Sequence, residues 1–334
     1  MKPMITLEDI RGVFAMLPTP STAEASKADA PFSVDLAETE RATLALIAAG
    51  VGGIMTNGSL GEMATLSLEE WTAFNEVVLR TARAAKPNLP VFVGVTTLST
   101  RGTIALAREV HRLGGKGIFT GRPFWCPLDD AAMLDFHEAL AEAVPDLAIV
   151  LYDNPEAFKG PIPTAVYGRL SKIPQVLAAK YIALTPKFNQ DVAAVGDRMR
   201  LLPIEVDWFA ARTMWPDLMP ACWSSTVACG PAPIMALAEA LEEGRVDRSR
   251  ELTKRIGRTY APFLAMQNWL EFTKYNIPLE KLRFDAAGFI KAGPPRHPYH
   301  TAPKQYVDGA LEAARRWVEL CNAVSAEPAT FELV

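Results

Sequence analysis

Eight short apolar segments, each followed by a helical stretch, predict an α/β fold for this chain: a (β/α)8 TIM barrel with an appended C-terminal helical region. Three observations carry the prediction. The segments are apolar on both faces, as parallel strands buried on both sides must be. The stretches between them have helical periodicity, and helical crossovers are what join parallel neighbours. The chain has 334 residues, enough for a barrel of roughly 250 residues and a remainder. The expected division is a catalytic barrel over 1–240 and a helical region over 241–334 packed on it. A doubly wound open sheet is the competing architecture. It lacks a strand-linked G-x-G-x-x-G, and Gly114-Gly115-Lys116-Gly117 is more simply a turn before a strand.

The elements follow in order. Val13–Leu17 is the first strand, stopped by Pro18-Thr19-Pro20. Ser33–Ala49 is a helix with Asp35 and Glu38 at N-cap and N3 spacing, Leu36, Leu44 and Ile47 as its apolar stripe, and Gly50 in the C-cap position. Gly53–Thr56 is the second strand and ends in Asn57-Gly58-Ser59-Leu60-Gly61-Glu62. Ser67 and Glu70 form a capping box that opens a helix to Ala85. Strands at Pro90–Val95 and Gly117–Thr120 flank a helix at Arg101–Leu113, and Asp130–Val144 is the helix after a loop holding Phe124 and Trp125. Ala148–Tyr152 is the fifth strand and Val176–Tyr181 the sixth, with a helix at Thr164–Ser171 between them. Asn189–Val195, Arg200–Ile204, Trp208–Trp215 and Ala221–Ser224 complete the alternation. Residues after Pro233 read as helical, and Pro294-Pro295-Arg296-His297-Pro298 reads as a rigid surface loop.

Composition excludes several function classes. Hydrophobic residues make up 49%, charged residues 22%, and the net charge is −4. That is an ordinary globular balance, without the basic footprint of a nucleic-acid binder. No window approaches the roughly 18 uninterrupted apolar residues of a membrane span, and the first residues lack a signal peptide's apolar core. The cysteines at 126, 222, 229 and 321 form no C-x-x-C pair, which suits reduced thiols in a cytoplasm. His111, His137, His297 and His300 show no metal-ligand spacing, and the first two are expected on helix surfaces. No serine nucleophile elbow or Walker loop is present.

In a barrel, chemistry sits at the strand C-terminal ends. Lys180, inside Leu177-Ala178-Ala179-Lys180-Tyr181, is the informative residue there. An unperturbed lysine is neutral only about four times in 10,000 at pH 7. Burial lowers its pKa and makes the amine a nucleophile for carbonyl carbon; the alternative is a strand-tip lysine that snorkels to water or pairs with a carboxylate. Tyr152, at the neighbouring strand end, is either a proton-passing phenol or a packed ring. The loop Gly58-Ser59-Leu60-Gly61-Glu62 is either a nest of backbone N–H groups for a carboxylate or phosphate or a plain tight turn.

Three motifs together resemble the pyruvate-dependent lyases typified by dihydrodipicolinate synthase and N-acetylneuraminate lyase. Gly58–Glu62 with Ala64-Thr65-Leu66 is similar to their G-T-T-G-E…A-T-L, Tyr152-Asp153-Asn154-Pro155 to their Y-N-x-P, and Lys180 stands where their Schiff-base lysine falls. Further segments resemble the hydratase-aldolases that cleave substituted benzylidenepyruvates: Met16–Ser21, Asn154–Lys159, Trp223-Ser224-Ser225, Lys274-Tyr275-Asn276-Ile277 and Lys291–Pro294. The resemblance implies a lysine Schiff-base lyase, usually tetrameric. It needs no cofactor and no metal, because the iminium polarises what a Lewis acid otherwise would. Lys180, Tyr152 and Ser59 are then the catalytic set. Gly58 and Leu60 hold the keto-acid carboxylate, Phe124, Trp125 and Trp223 stack on an aryl ring, and Asn276 reaches over the barrel mouth. Two departures stand out: Leu60 replaces a threonine, and Trp125 a relay tyrosine. Both make the site more aromatic, which suits an aryl keto acid better than a sugar acid. Arg122, or else Lys187, is expected to meet an ortho-carboxylate on the ring, the substituent favoured over an ortho-hydroxyl. A sugar-acid pyruvate aldolase and a non-catalytic keto-acid binder of the same fold are the alternatives.

Overall fold

The structure, a computed structural model, describes residues 5–264 and 269–327. Eight parallel strands form one sheet: β1 Gly12–Met16, β2 Gly53–Met55, β3 Val91–Gly94, β4 Gly117–Thr120, β5 Ala148–Tyr152, β6 Val176–Lys180, β7 Arg200–Leu202 and β8 Ala221–Ser224. Their order is β7-β6-β5-β4-β3-β2-β1-β8, so each strand neighbours its successor and β1 meets β8. The remaining seam closes at the C-terminal rim, where Ile204 bridges Trp223 and the Trp223 N–H donates to the Pro203 carbonyl at 2.9 Å. The architecture is the predicted TIM barrel.

Helices α1 Leu36–Ala48, α2 Leu68–Ala85, α3 Thr100–Arg112, α4 Asp130–Ala143, α5 Thr164–Leu170, α6 Pro186–Val195, α7 Glu205–Met214 and α8 Ala232–Glu242 fill the crossovers and follow β8. Three more close the chain: α9 Val246–Tyr260, α10 Trp269–Ala287 and α11 Lys304–Ser325. Residues 328–334, part of the expected helical region, lie outside the described residues. Among the described residues, no helix is long and apolar enough to cross a membrane.

The caps form as their spacing requires. The Asp35 side chain accepts from the Glu38 N–H, and Ser67 and Glu70 satisfy each other's backbone donors. The stripe on α1 is different from the predicted one. Leu36 and Leu44 are exposed, while Thr39, Ala42, Thr43 and Leu46 face the core. Thr39 and Thr43 enter it without a desolvation penalty because each hydroxyl donates to the carbonyl four residues earlier, at 2.7 Å. His137 is likewise buried in α4, its Nδ1 2.6 Å from the Met133 carbonyl, and burial lowers its pKa to about 4. The 294–298 segment is not a free surface loop, since Arg296 is buried against the barrel.

Candidate active site

Lys180 ends β6 and Tyr152 ends β5, directly paired across the sheet. Both side chains reach an inner chamber of about 100 Å³ at the C-terminal mouth of the barrel. The Lys180 Nζ sits 3.4 Å from the centroid of the Trp223 ring and 5.0 Å from that of Tyr152. Burial drives its pKa down to about 7 against the pull of Glu205, Glu280 and Asp153. Roughly half the amine is therefore neutral at pH 7, against about four parts in 10,000 for a free lysine.

The Tyr152 hydroxyl is oriented from two sides. Ser59 Oγ lies at 2.9 Å, and the Asn154 Nδ2 donates to it at 3.1 Å. The Asn154 amide is itself fixed, because its Oδ1 accepts from the Ala157 N–H. Phe119 stacks on the tyrosine ring at 4.7 Å and Phe158 meets it edge-on at 5.3 Å.

The loop after β2 is a built turn. Asn57 holds a left-handed backbone, φ 48°, which asparagine tolerates well. Its side chain is fixed by Asn75 and Thr19, and the Thr19 hydroxyl bonds the Gly61 carbonyl. A Cβ at Gly58 would stand 3.2 Å from the Phe119 ring, and one at Gly61 would strike the Asn57 backbone at 2.8 Å. These two glycines let the turn lie against the aromatic floor. Among the described residues, the Ser59 and Leu60 N–H groups donate to no protein acceptor.

Glu62 ends that turn, fully buried and also left-handed at φ 57°. Its carboxylate takes Lys281 Nζ at 2.6 Å, the Arg296 guanidinium and the Arg296 N–H. The turn is thus tied to α10 and to the 291–298 segment.

Helix α10 supplies the far wall. Asn276, Glu280 and Arg283 share one face at helical spacing. Asn276 and Glu280 line the inner chamber, and Arg283 holds Glu280 at 2.6 Å. Beyond it opens an outer chamber of about 390 Å³, sharing Ser59, Tyr152, Asn154 and Asn276 and walled by Phe124, Phe158, Met63, Ile277 and Tyr299.

The structure therefore brings together Lys180, Tyr152, Ser59, Leu60, Trp223 and Asn276 around the inner chamber, with Gly58 and Phe124 on the outer one. Arg122 and Trp125 are not brought in. Arg122 is buried and turned to Asp153 and the carbonyls of Phe158 and Gly160, where it pins the loop after Tyr152. Trp125 is 76% exposed and outside both linings. Lys187 is occupied by Asp191 and the Ile162 carbonyl. Asn154, Glu280, Lys281 and Arg296 were missed as site residues by sequence reasoning. Asn154 alone had a signal, its place two residues after Tyr152.

Comparison with known proteins places the chain in a family. The model of the dihydrodipicolinate synthetase family matches residues 21–309. The chain belongs to this family. Within it, the chain is 41% identical to a trans-2'-carboxybenzalpyruvate hydratase-aldolase of Nocardioides sp. (strain KP7), over 98% of this chain and 99% of the relative. It is 40% identical to a trans-O-hydroxybenzylidenepyruvate hydratase-aldolase of Sphingobium xenophagum, over 98% of each. A solved structure described as PhdJ bound to substrate intermediate superposes with a TM-score of 0.94 at 42% identity, covering 97% of this chain and all of the other. The dihydrodipicolinate synthetase framework thus extends past the barrel into α10, which carries Asn276.

Proposed function

We propose that this chain is a cytoplasmic Schiff-base hydratase-aldolase that hydrates and cleaves a substituted benzylidenepyruvate to an aromatic aldehyde and pyruvate. Its preferred substrate is the 2'-carboxy compound. The observation that carries the reading is one amine, desolvated at Lys180, beside a tyrosine hydroxyl held by Ser59 and Asn154, at the neck of an aromatic outer chamber.

The chemistry follows from these positions. The substrate carboxylate sits on the Ser59 and Leu60 N–H groups. The neutral Lys180 amine adds to the ketone, Tyr152 gives a proton to the departing oxygen, and loss of water leaves an iminium conjugated to the alkene. Water adds at the benzylic carbon, the electron pair moving toward the iminium nitrogen, with Asn276 holding the water; the proton the water loses passes through Tyr152 to the carbon beside the imine, which restores the iminium. Tyr152 then takes the benzylic hydroxyl proton, the carbon–carbon bond breaks, and its electrons form the pyruvate enamine on Lys180. Protonation at carbon and hydrolysis free pyruvate and restore the amine. Trp223 lies under the reacting nitrogen, where its π face favours the cationic imine.

The aryl ring fills the outer chamber against Phe124 and Phe158. Arg122 and Lys187 line neither chamber; Lys274, on the outer wall and paired with Glu271 where it is exposed, is the cation offered to an ortho-carboxylate. The exposed Leu44 and Met214 support assembly, expected as a homotetramer and read by light scattering. The four unpaired cysteines suit a reducing compartment.

Aldehyde release is the test. The 2'-carboxy substrate should turn over with the highest kcat/KM, the 2'-hydroxy compound next, and sugar keto acids at least a hundredfold lower. Comparable cleavage of a sugar acid would favour the other aldolase reading. The absence of cleavage with all of them would favour a keto-acid binder.

A further inference from the structure

Two polar walls line the inner chamber, and the chemistry above uses only one. Tyr152, Ser59 and Asn154 form the first, from β5 and the loop after β2. The second comes from α10, where Glu280 lines the chamber with Lys180. Glu280 is buried, bonded to the Arg283 guanidinium at 2.6 Å and 3.4 Å from the Ser225 hydroxyl. Arg283 is buried too, stacked 4.4 Å above the Phe263 ring and bonded to Ser225. An ion pair this far from water is costly to bury, and replacing one by apolar groups is often neutral or stabilising. Its placement against the reactive amine therefore calls for a reason.

We infer that Glu280, aimed by Arg283 and Ser225, is the counter-charge for the iminium that forms on Lys180, and so a positioning residue for the reaction. The inference rests on the Schiff-base reading and adds to it a residue outside the barrel. The charged and titratable groups facing Lys180 are few. Asp153 follows β5 but does not line the chamber, its oxygens taken by the Ile162 N–H, Tyr167 and Arg122. Glu205 opens α7, and its Oε1 accepts from Thr226 and Tyr260. Glu205 itself does not line the chamber, whereas its partner Tyr260 does. Tyr152 and Trp223 offer rings. Glu280 is the one carboxylate among the described residues that both lines the chamber and has a cation fixing its orientation. In a low-dielectric pocket, a fixed negative charge favours the cationic imine over the neutral ketone and amine.

The test is the pH dependence of borohydride trapping with pyruvate, beside steady-state turnover, in Glu280→Gln and Glu280→Asp. Loss of the negative charge lowers the pKa of Lys180, so trapping in Glu280→Gln should reach half-maximum at a lower pH, by about one unit. Its kcat should fall about 10- to 100-fold with KM changed less than threefold, and Glu280→Asp should restore most of both. Should Glu280→Gln fail to fold, Glu280→Gln/Arg283→Gln removes both charges together and is expected to show a smaller shift in the same direction. An unmoved trapping profile, or an aspartate variant no better than the glutamine one, overturns the inference. No adduct in the unsubstituted chain at any pH would overturn the Schiff-base reading itself, a separate and distinguishable outcome.

Discussion

At Lys180 two influences oppose each other. Burial disfavours the ammonium, while the Trp223 face and three carboxylates favour it, and burial wins. A group at about 7 titrates across the working range, so the rate of imine formation should rise with pH up to about 7 and level above it. Tyr152 is different in kind, since its role depends on a hydroxyl held at 2.9 and 3.1 Å by two neighbours. Tyr152→Phe keeps the ring stack on Phe119 and removes only the proton carrier. Steady-state assays should show kcat down about 10²- to 10⁴-fold, the usual contribution of a general acid or base, with the fold unchanged by circular dichroism. A loss below threefold would remove Tyr152 from the chemistry. Lys180 and Tyr152 were legible because each interrupts an apolar strand at its C-terminal end. The orientation of Arg122 was not, because a loop charge reads the same whether it faces a cavity or an internal carboxylate.

Among the elements, α10 does the most to shape the site. One face delivers Asn276 and Glu280 to the chamber. The next residue, Lys281, buries its ammonium on Glu62, Ser21 and the Thr19 carbonyl. The turn after β2 and the outer wall are thereby held in one register. Lys281→Met keeps the side-chain volume and withdraws one of Glu62's two cations. Chemical denaturation should show a loss of about 1–3 kcal/mol, the cost of leaving the Thr19 and Ser21 acceptors without their donor while Arg296 still neutralises Glu62, and no measurable change would make the cluster incidental. Nothing local announced this cluster. Lys281 and Arg296 lie 219 and 234 residues from Glu62 in the chain, and cations in a helix or a proline-rich loop normally face water. The α1 stripe was misread for a related reason: its leucines at 36 and 44 look like a core face, while threonines that bond their own helix form the real one.

For the whole molecule, the barrel was legible because parallel strands buried on both faces leave continuous apolar runs between capped helices. Three strands, Gly117–Thr120, Ala148–Tyr152 and Ala221–Ser224, fall at their predicted bounds. What depends on packing between distant segments was not legible, and buried His137 is an example. Its pKa of about 4 lies below the unfolded value near 6.5, so the folded state binds fewer protons between them. That contribution to stability is full above pH 6.5 and is lost as pH falls toward 4, by roughly 3 kcal/mol. Urea unfolding at pH 7 and pH 5 should show a smaller decline in His137→Asn than in the unsubstituted chain, and equal declines would contradict this.

The most direct measurement is mass spectrometry after borohydride reduction in the presence of pyruvate. One reduced adduct per chain is expected, mapped to the peptide that carries Lys180 and missing from a folded Lys180→Arg variant. An adduct on another lysine, or aldehyde release undiminished in that variant, would contradict the role given to Lys180.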